Sequence, residues 1–222
     1  MPPTMALLLV GLARTHVSHV YPLLKATLLK RYNPDVFLAM STEMGCPSAQ
    51  RAVPPGNAKP MDARGRAQCE RAQLPATVDW LSLYPNLKSL RVDAHPPNAT
   101  RALHGVAMPE AAEHKSMLLH IWRMYEANEA KRDWEAAVGR RYDVVVKVRP
   151  DWVCGSDYKF LLAQVDHVLA KRREFAHYNG GIDEFQVSDK FIVATSEAFD
   201  FYASVWERLP ECELVAANFS RK

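Results

Sequence analysis

A chain of 222 residues with 48% hydrophobic content has enough apolar mass for one large domain with a real core, which speaks against disorder throughout. Its 28 basic and 25 acidic residues leave a net charge of +3, too even a balance for nucleic acid to be the main partner. Cys46, Cys69, Cys154 and Cys212 contain no C-x-x-C pair and stand far apart, which argues against a zinc knuckle or a disulfide-dense scaffold. They read as free thiols, with a disulfide open in a secretory setting.

The apolar run from Met5 ends at Gly11 and reads as a first strand. It is too short to span a bilayer, and no basic segment precedes it as in a signal peptide, so no transmembrane segment is expected. Val17, Val20, Tyr21, Leu24 and Leu28 then recur at helical spacing until Asn33-Pro34, and Asp35 to Met40 reads as a second strand. A strand, helix and strand in this order make a βαβ unit, whose crossover favours a parallel sheet and an α/β fold. Nine of the fifteen prolines fall between Gly45 and Pro109, with Arg51, Lys59, Arg64, Arg66 and Arg71 scattered among them. A proline-rich loop or insertion at about 45–75 within a single domain over 1–222 is the expectation. Thr77 is placed to cap a short helix through Trp80 and Leu83, and Ser89 to Val92 reads as a short strand ending at Asp93.

A long helix is expected from about Glu110 to Val138, with Leu118, Ile121, Trp122 and Tyr125 on its buried face and Gly139 as its stop. It leads into Tyr142-Asp143-Val144-Val145-Val146-Lys147-Val148-Arg149-Pro150-Asp151, the most informative run of the chain. Its valines suit a strand covered on both faces, and Pro150, which has no N–H to donate, should end it. Alternation puts Val145, Lys147 and Arg149 on one face and Val144, Val146 and Val148 on the other. Two cations therefore share the face running toward Asp151, and buried cations need partners. Ligands of open α/β sheets sit beyond the carboxyl ends of strands, so that partner is either a ligand phosphate or Asp151 in a structural ion pair. Ser156 is placed to cap a helix with Leu161, Val165, Val168 and Leu169 inward, and Glu174 to Val187 reads as two short strands around Asn179-Gly180-Gly181. Lys190 to Ala194 reads as a strand, and Ser196 as the cap of a last helix with Phe199, Tyr202, Ala203 and Trp206 on one side.

Three pieces of this sequence resemble small GT-A-type glycosyltransferases and glycosyltransferase-like proteins of algae, large algal viruses and bacteria. Gly11-Leu12-Ala13-Arg14-Thr15 with Asp35-Val36-Phe37 is similar to that family's G-x-x-R-T and D-V-F elements. The run from Tyr142 to Asp151 looks like its Y-D-hydrophobic-R-x-R-P-D signature, and Ser188-Asp189-Lys190-Phe191 through Tyr202 is similar to its D-Q-F-A-x-G-S-x-x-M-D-x-Y ending. The resemblance implies a GT-A-like three-layer α/β sandwich with a mostly parallel central sheet. It further implies a nucleoside-diphosphate-sugar donor, a glycan or other hydroxyl acceptor, and a divalent cation, Mn2+ or Mg2+, bridging the diphosphate.

Asp151 matches the last acid of the D-x-D motif in such enzymes, but Arg149 stands where the first acid would be. One carboxylate binds a cation poorly unless Asp189, His177 or another acid comes near, or unless Arg149 grips phosphate in the cation's place. The resemblance makes Asp151 and Arg149 the diphosphate site, with Lys147 beside them, and Asp189 the catalytic base or second metal ligand, ahead of Asp183 and Glu184. Gly11 and Arg14 would meet the nucleotide after the first strand, and Asp93 would contact the donor. No G-x-G-x-x-G and no P-loop pattern occurs, and the histidines have no metal-ligand spacing. Two other readings stand beside the enzyme: a non-catalytic GT-A-like nucleotide- or carbohydrate-binding module, and an interaction module that uses the basic, proline-rich insertion. The sequons at Asn98 and Asn218 leave the compartment open between the cytoplasm and the lumen of the secretory pathway.

Overall fold

The computed structural model describes residues 3–13, 16–41, 78–92, 112–150, 157–171, 175–177 and 191–208. Within them lie strands β1 (Met5–Leu12), β2 (Asp35–Ser41), β3 (Leu87–Val92), β4 (Val144–Val148), β5 (Phe175–His177) and β6 (Phe191–Ala194). They form one six-stranded sheet in the order β3-β2-β1-β4-β6-β5. The first four strands in that order are mutually parallel, and β6 runs antiparallel to both β4 and β5. This is the mostly parallel α/β sheet expected from the βαβ opening. Among the described residues no helix is long and apolar enough to cross a membrane.

Strands β1, β2, β4 and β6 lack apolar–polar alternation because helices cover both faces. One face carries Leu7, Leu9, Val36, Leu38, Val144, Val146 and Val148. Against it pack helix α1, made of the successive pieces His16–Val20, Tyr21–Leu24, Lys25–Leu29 and Lys30–Tyr32, and the short helix α2 (Trp80–Leu83). The opposite face, with Leu8, Val10, Phe37, Val145 and Ile192, packs on helix α3 (Ala112–Val138) through Met124, Ala127 and Ala130. Helix α4 (Asp157–Lys171) joins α1 on the first face through Leu161, Val165 and Val168, and helix α5 (Ser196–Ala203) joins α3 on the second through Ala198, Phe199 and Ala203.

Local chemistry explains how the elements start and stop. Helix α1 alternates α and π turns, and Thr27 Oγ1 donates back to the Leu23 carbonyl at 2.6 Å within one of the π stretches. It ends at Asn33, left-handed at φ 45°, with Pro34 next. Helix α3 stops as expected at Gly139, which takes φ 67°. Two caps differ from expectation. Asp79, rather than Thr77, caps α2 by accepting from the Ser82 amide at 3.1 Å, and Thr77 lies outside the described residues. Thr195, rather than Ser196, caps α5 by accepting from the Ala198 amide at 3.3 Å.

The buried face of α3 also differs. Trp122 is buried as expected, its ring tilted against Trp206 with centroids 4.9 Å apart, but Ile121 and Tyr125 are only half-buried, and the Leu118 side chain lies outside the described residues. The helix instead turns Arg123, Asn128, Lys131 and Glu135 inward along with Met124 and Ala127. Lys131 is fully buried because its three N–H groups meet three acceptors: Glu135 Oε2 at 3.0 Å, Ser196 Oγ at 2.5 Å and Asp200 Oδ1 at 2.9 Å. Glu135 Oε1 in turn accepts from Ser196 Oγ at 2.6 Å and from the Tyr142 amide at 2.8 Å. Partnering of this kind allows polar side chains to occupy a core-facing stripe.

Candidate functional site

The parallel strands β1, β2, β3 and β4 end on one edge of the sheet, at Leu12, Ser41, Val92 and Val148. Since β6 is antiparallel to β4 and pairs Phe191 with Val148, the chain enters β6 at that same edge. From β1 the order runs outward to β2 on one side and to β4 on the other, so strand succession reverses between β1 and β4. A crevice beyond such a reversal is where open α/β sheets place ligands.

Gly11 and the end of β4 meet at this point. Gly11 has φ +140°, and a Cβ built on it would lie 3.2 Å from Pro150 Cδ and 4.0 Å from Arg149 Cγ. The close approach accounts for a glycine here through packing of β1 against the exit of β4. Gly11→Ala is expected to cost about 1–3 kcal/mol from the strained φ and the crowded proline. Chemical denaturation checks this, and a loss below a few tenths of a kcal/mol would contradict the packing account.

Pro150 also meets His16, the first residue of α1. His16 Nδ1 lies 3.3 Å from the Pro150 carbonyl oxygen and Nε2 lies 2.6 Å from the Tyr84 hydroxyl. His16 and Tyr84 are both fully inside the core, and burial holds the imidazole down at a pKa of about 4.

The α3 side of β4 is cationic. Val145 joins the α3-facing core and Val144, Val146 and Val148 join the other, as alternation requires. Lys147, between Val146 and Val148, is fully buried, and its Nζ donates to His120 Nε2 at 3.0 Å, which leaves the imidazole proton on Nδ1. Burial holds His120 well below its usual pKa, reinforced by the charges of Lys147, Arg149 and Arg123. Lys147 thus contacts a neutral imidazole that also feels the charges of Arg149 and Arg123.

Of the residues proposed from sequence, Gly11, Lys147 and Arg149 are therefore brought to one edge. Arg14, Asp93, Asp151 and Asp189 lie outside the described residues, as do Asp183, Glu184 and the His177 side chain. Sequence reading missed His16, Tyr84, His120 and Arg123. A faint signal existed for the last two, since positions three apart share a helix face. The described part of this edge brings Lys147 and Arg149 rather than a set of carboxylates, and His120 Nε2 already accepts from Lys147. Among the described residues no group of three or more His, Cys, Asp or Glu could hold a metal ion.

The fold and this edge define an α/β protein with a mostly parallel sheet that carries Lys147 and Arg149 beside its reversal point. Comparison with known protein families, with curated proteins and with solved structures finds no match.

Proposed function

We propose that this chain is a GT-A-like glycosyltransferase that moves a sugar from a nucleoside-diphosphate-sugar donor to a hydroxyl acceptor. The observation that carries the reading is the place of Arg149 directly after β4, at the carboxyl edge beside the β1/β4 reversal, with Lys147 buried behind it. Arg149, half-buried as a residue, carries the guanidinium suited to grip phosphate oxygens in pairs. Lys147, fully buried against His120, acts through its field rather than by contact. Gly11 lets the β1 turn approach closely, with Arg14 three residues further on, and Asp93 follows β3 directly in sequence.

In the inverting form of this chemistry the acceptor oxygen bonds to the anomeric carbon as the bond from that carbon to the diphosphate oxygen breaks. Asp189 takes the hydroxyl proton, and the cationic edge stabilises the charge that develops on the leaving diphosphate. Asp151 is the carboxylate assigned to a divalent cation, Mn2+ or Mg2+, which supplies further charge compensation when bound. Asp151→Ala is expected to abolish metal-dependent nucleotide binding while leaving the fold intact, as read by calorimetric titration and circular dichroism. Unchanged affinity would remove Asp151 from the site.

A second reading, a non-catalytic GT-A-like nucleotide- or carbohydrate-binding module, is favoured by Arg149 standing where the first acid of D-x-D would be. Donor turnover separates the two readings: the enzyme releases nucleoside diphosphate from its sugar conjugate, whereas the module binds the conjugate and returns it intact.

A further inference from the structure

We propose that His16 and Tyr84 are positioning residues for the anion-binding edge: the imidazole, oriented by the Tyr84 hydroxyl, grips the Pro150 carbonyl and so fixes the backbone that presents Arg149. The inference rests on reading this edge as a diphosphate site. The polarity of the chain of bonds follows from the groups themselves. A carbonyl oxygen only accepts, so Nδ1 carries the proton and donates to Pro150, and the bare Nε2 accepts from the Tyr84 hydroxyl. The low pKa of His16 agrees with a neutral ring.

Two features give this contact more than a packing role. The ladder of β4 ends at the Val148–Phe191 pair, so Arg149 and Pro150 lie beyond the strand's own register. There His16 holds the Pro150 carbonyl and Gly11 packs close to the proline ring. In addition, His16 and Tyr84 bury their polar atoms completely, at a desolvation cost that apolar side chains of the same size would avoid. What the polar pair supplies instead is a directional hold on one carbonyl, and positioning groups of this kind control how well a charged side chain meets its ligand.

The test uses the full chain and inorganic pyrophosphate, titrated calorimetrically with and without MnCl2, so that no nucleotide base need be known. His16→Phe keeps a ring but loses both bonds, Tyr84→Phe loses one hydroxyl, and His16→Asn retains an amide donor for the carbonyl. Pyrophosphate affinity is expected to fall about tenfold in His16→Phe and severalfold in Tyr84→Phe, with His16→Asn recovering much of the loss. Circular dichroism monitors the folded fraction, and Tyr84→Phe keeps the test usable if His16→Phe does not fold. Wild-type binding with unaltered affinity in folded variants that only melt earlier would overturn the positioning role and leave the diphosphate site standing. Absence of pyrophosphate binding by the wild type under both conditions would overturn the diphosphate reading and the positioning role with it.

Discussion

Lys131→Met is expected to destabilise the protein by about 3–5 kcal/mol, the cost of breaking a buried ion pair from one side. The Lys131 ammonium is wholly inside, where it joins Glu135 on its own helix to Ser196 and Asp200 on α5. Methionine fills similar space but leaves Glu135 Oε2 with no cation in a site that is 6% exposed, whereas Asp200 keeps Arg141. A urea titration should show a lower midpoint with an unchanged slope, since the surface exposed on unfolding stays the same. The double variant with Glu135→Gln should lose less than the two single variants added together, because the second change removes the stranded charge. A loss below about 1 kcal/mol for Lys131→Met would contradict the picture of a network that ties α3 to α5.

Acid should weaken the fold through His16 before most carboxylates protonate. Its pKa lies near 4 in the folded chain against 6.5 for the ordinary group, so between these values the unfolded chain binds the extra proton. Stability is therefore fully present above about pH 6.5, falls as pH drops toward 4, and levels off below, for a total near 3 kcal/mol. His120 is shifted in the same direction by burial and its cationic neighbours, so it adds to the slope. Comparing wild type with His16→Asn isolates the His16 part: the variant should have a shallower decline in unfolding free energy between pH 7 and 4. Parallel curves would mean that His16 binds its proton equally well in the folded and unfolded chains.

The features with short periods were legible in sequence. The five buried residues of β4 follow from a valine-rich run, and the placing of Lys147 and Arg149 on one face follows from a two-residue repeat. The parallel pairing of β1 with β2 follows from the helix between them. The face of α3 did not, because Lys131 and Glu135 look like solvent residues until Ser196 and Asp200, more than sixty positions later, are seen to meet them. The cap of α5 moved by one residue for a similar reason, as Ser196 is taken up by Glu135 and Lys131 while its neighbour Thr195 serves the helix. His16 and His120 belong to no spacing motif. Their roles come from Tyr84, Pro150 and Lys147, partners that only the assembled sheet brings near.

Of the available experiments, a thermal-shift panel of UDP, GDP, CDP and their sugar conjugates, each with and without manganese, bears most directly on the central claim of a nucleotide-diphosphate site at the cationic edge. A ligand that binds only the folded state must raise its stability, by about 2.7 kcal/mol at a hundred times its Kd. A shift with one nucleotide family, larger with manganese and lost in Arg149→Ala, is the predicted result. No shift with any of the ligands under either condition would contradict it.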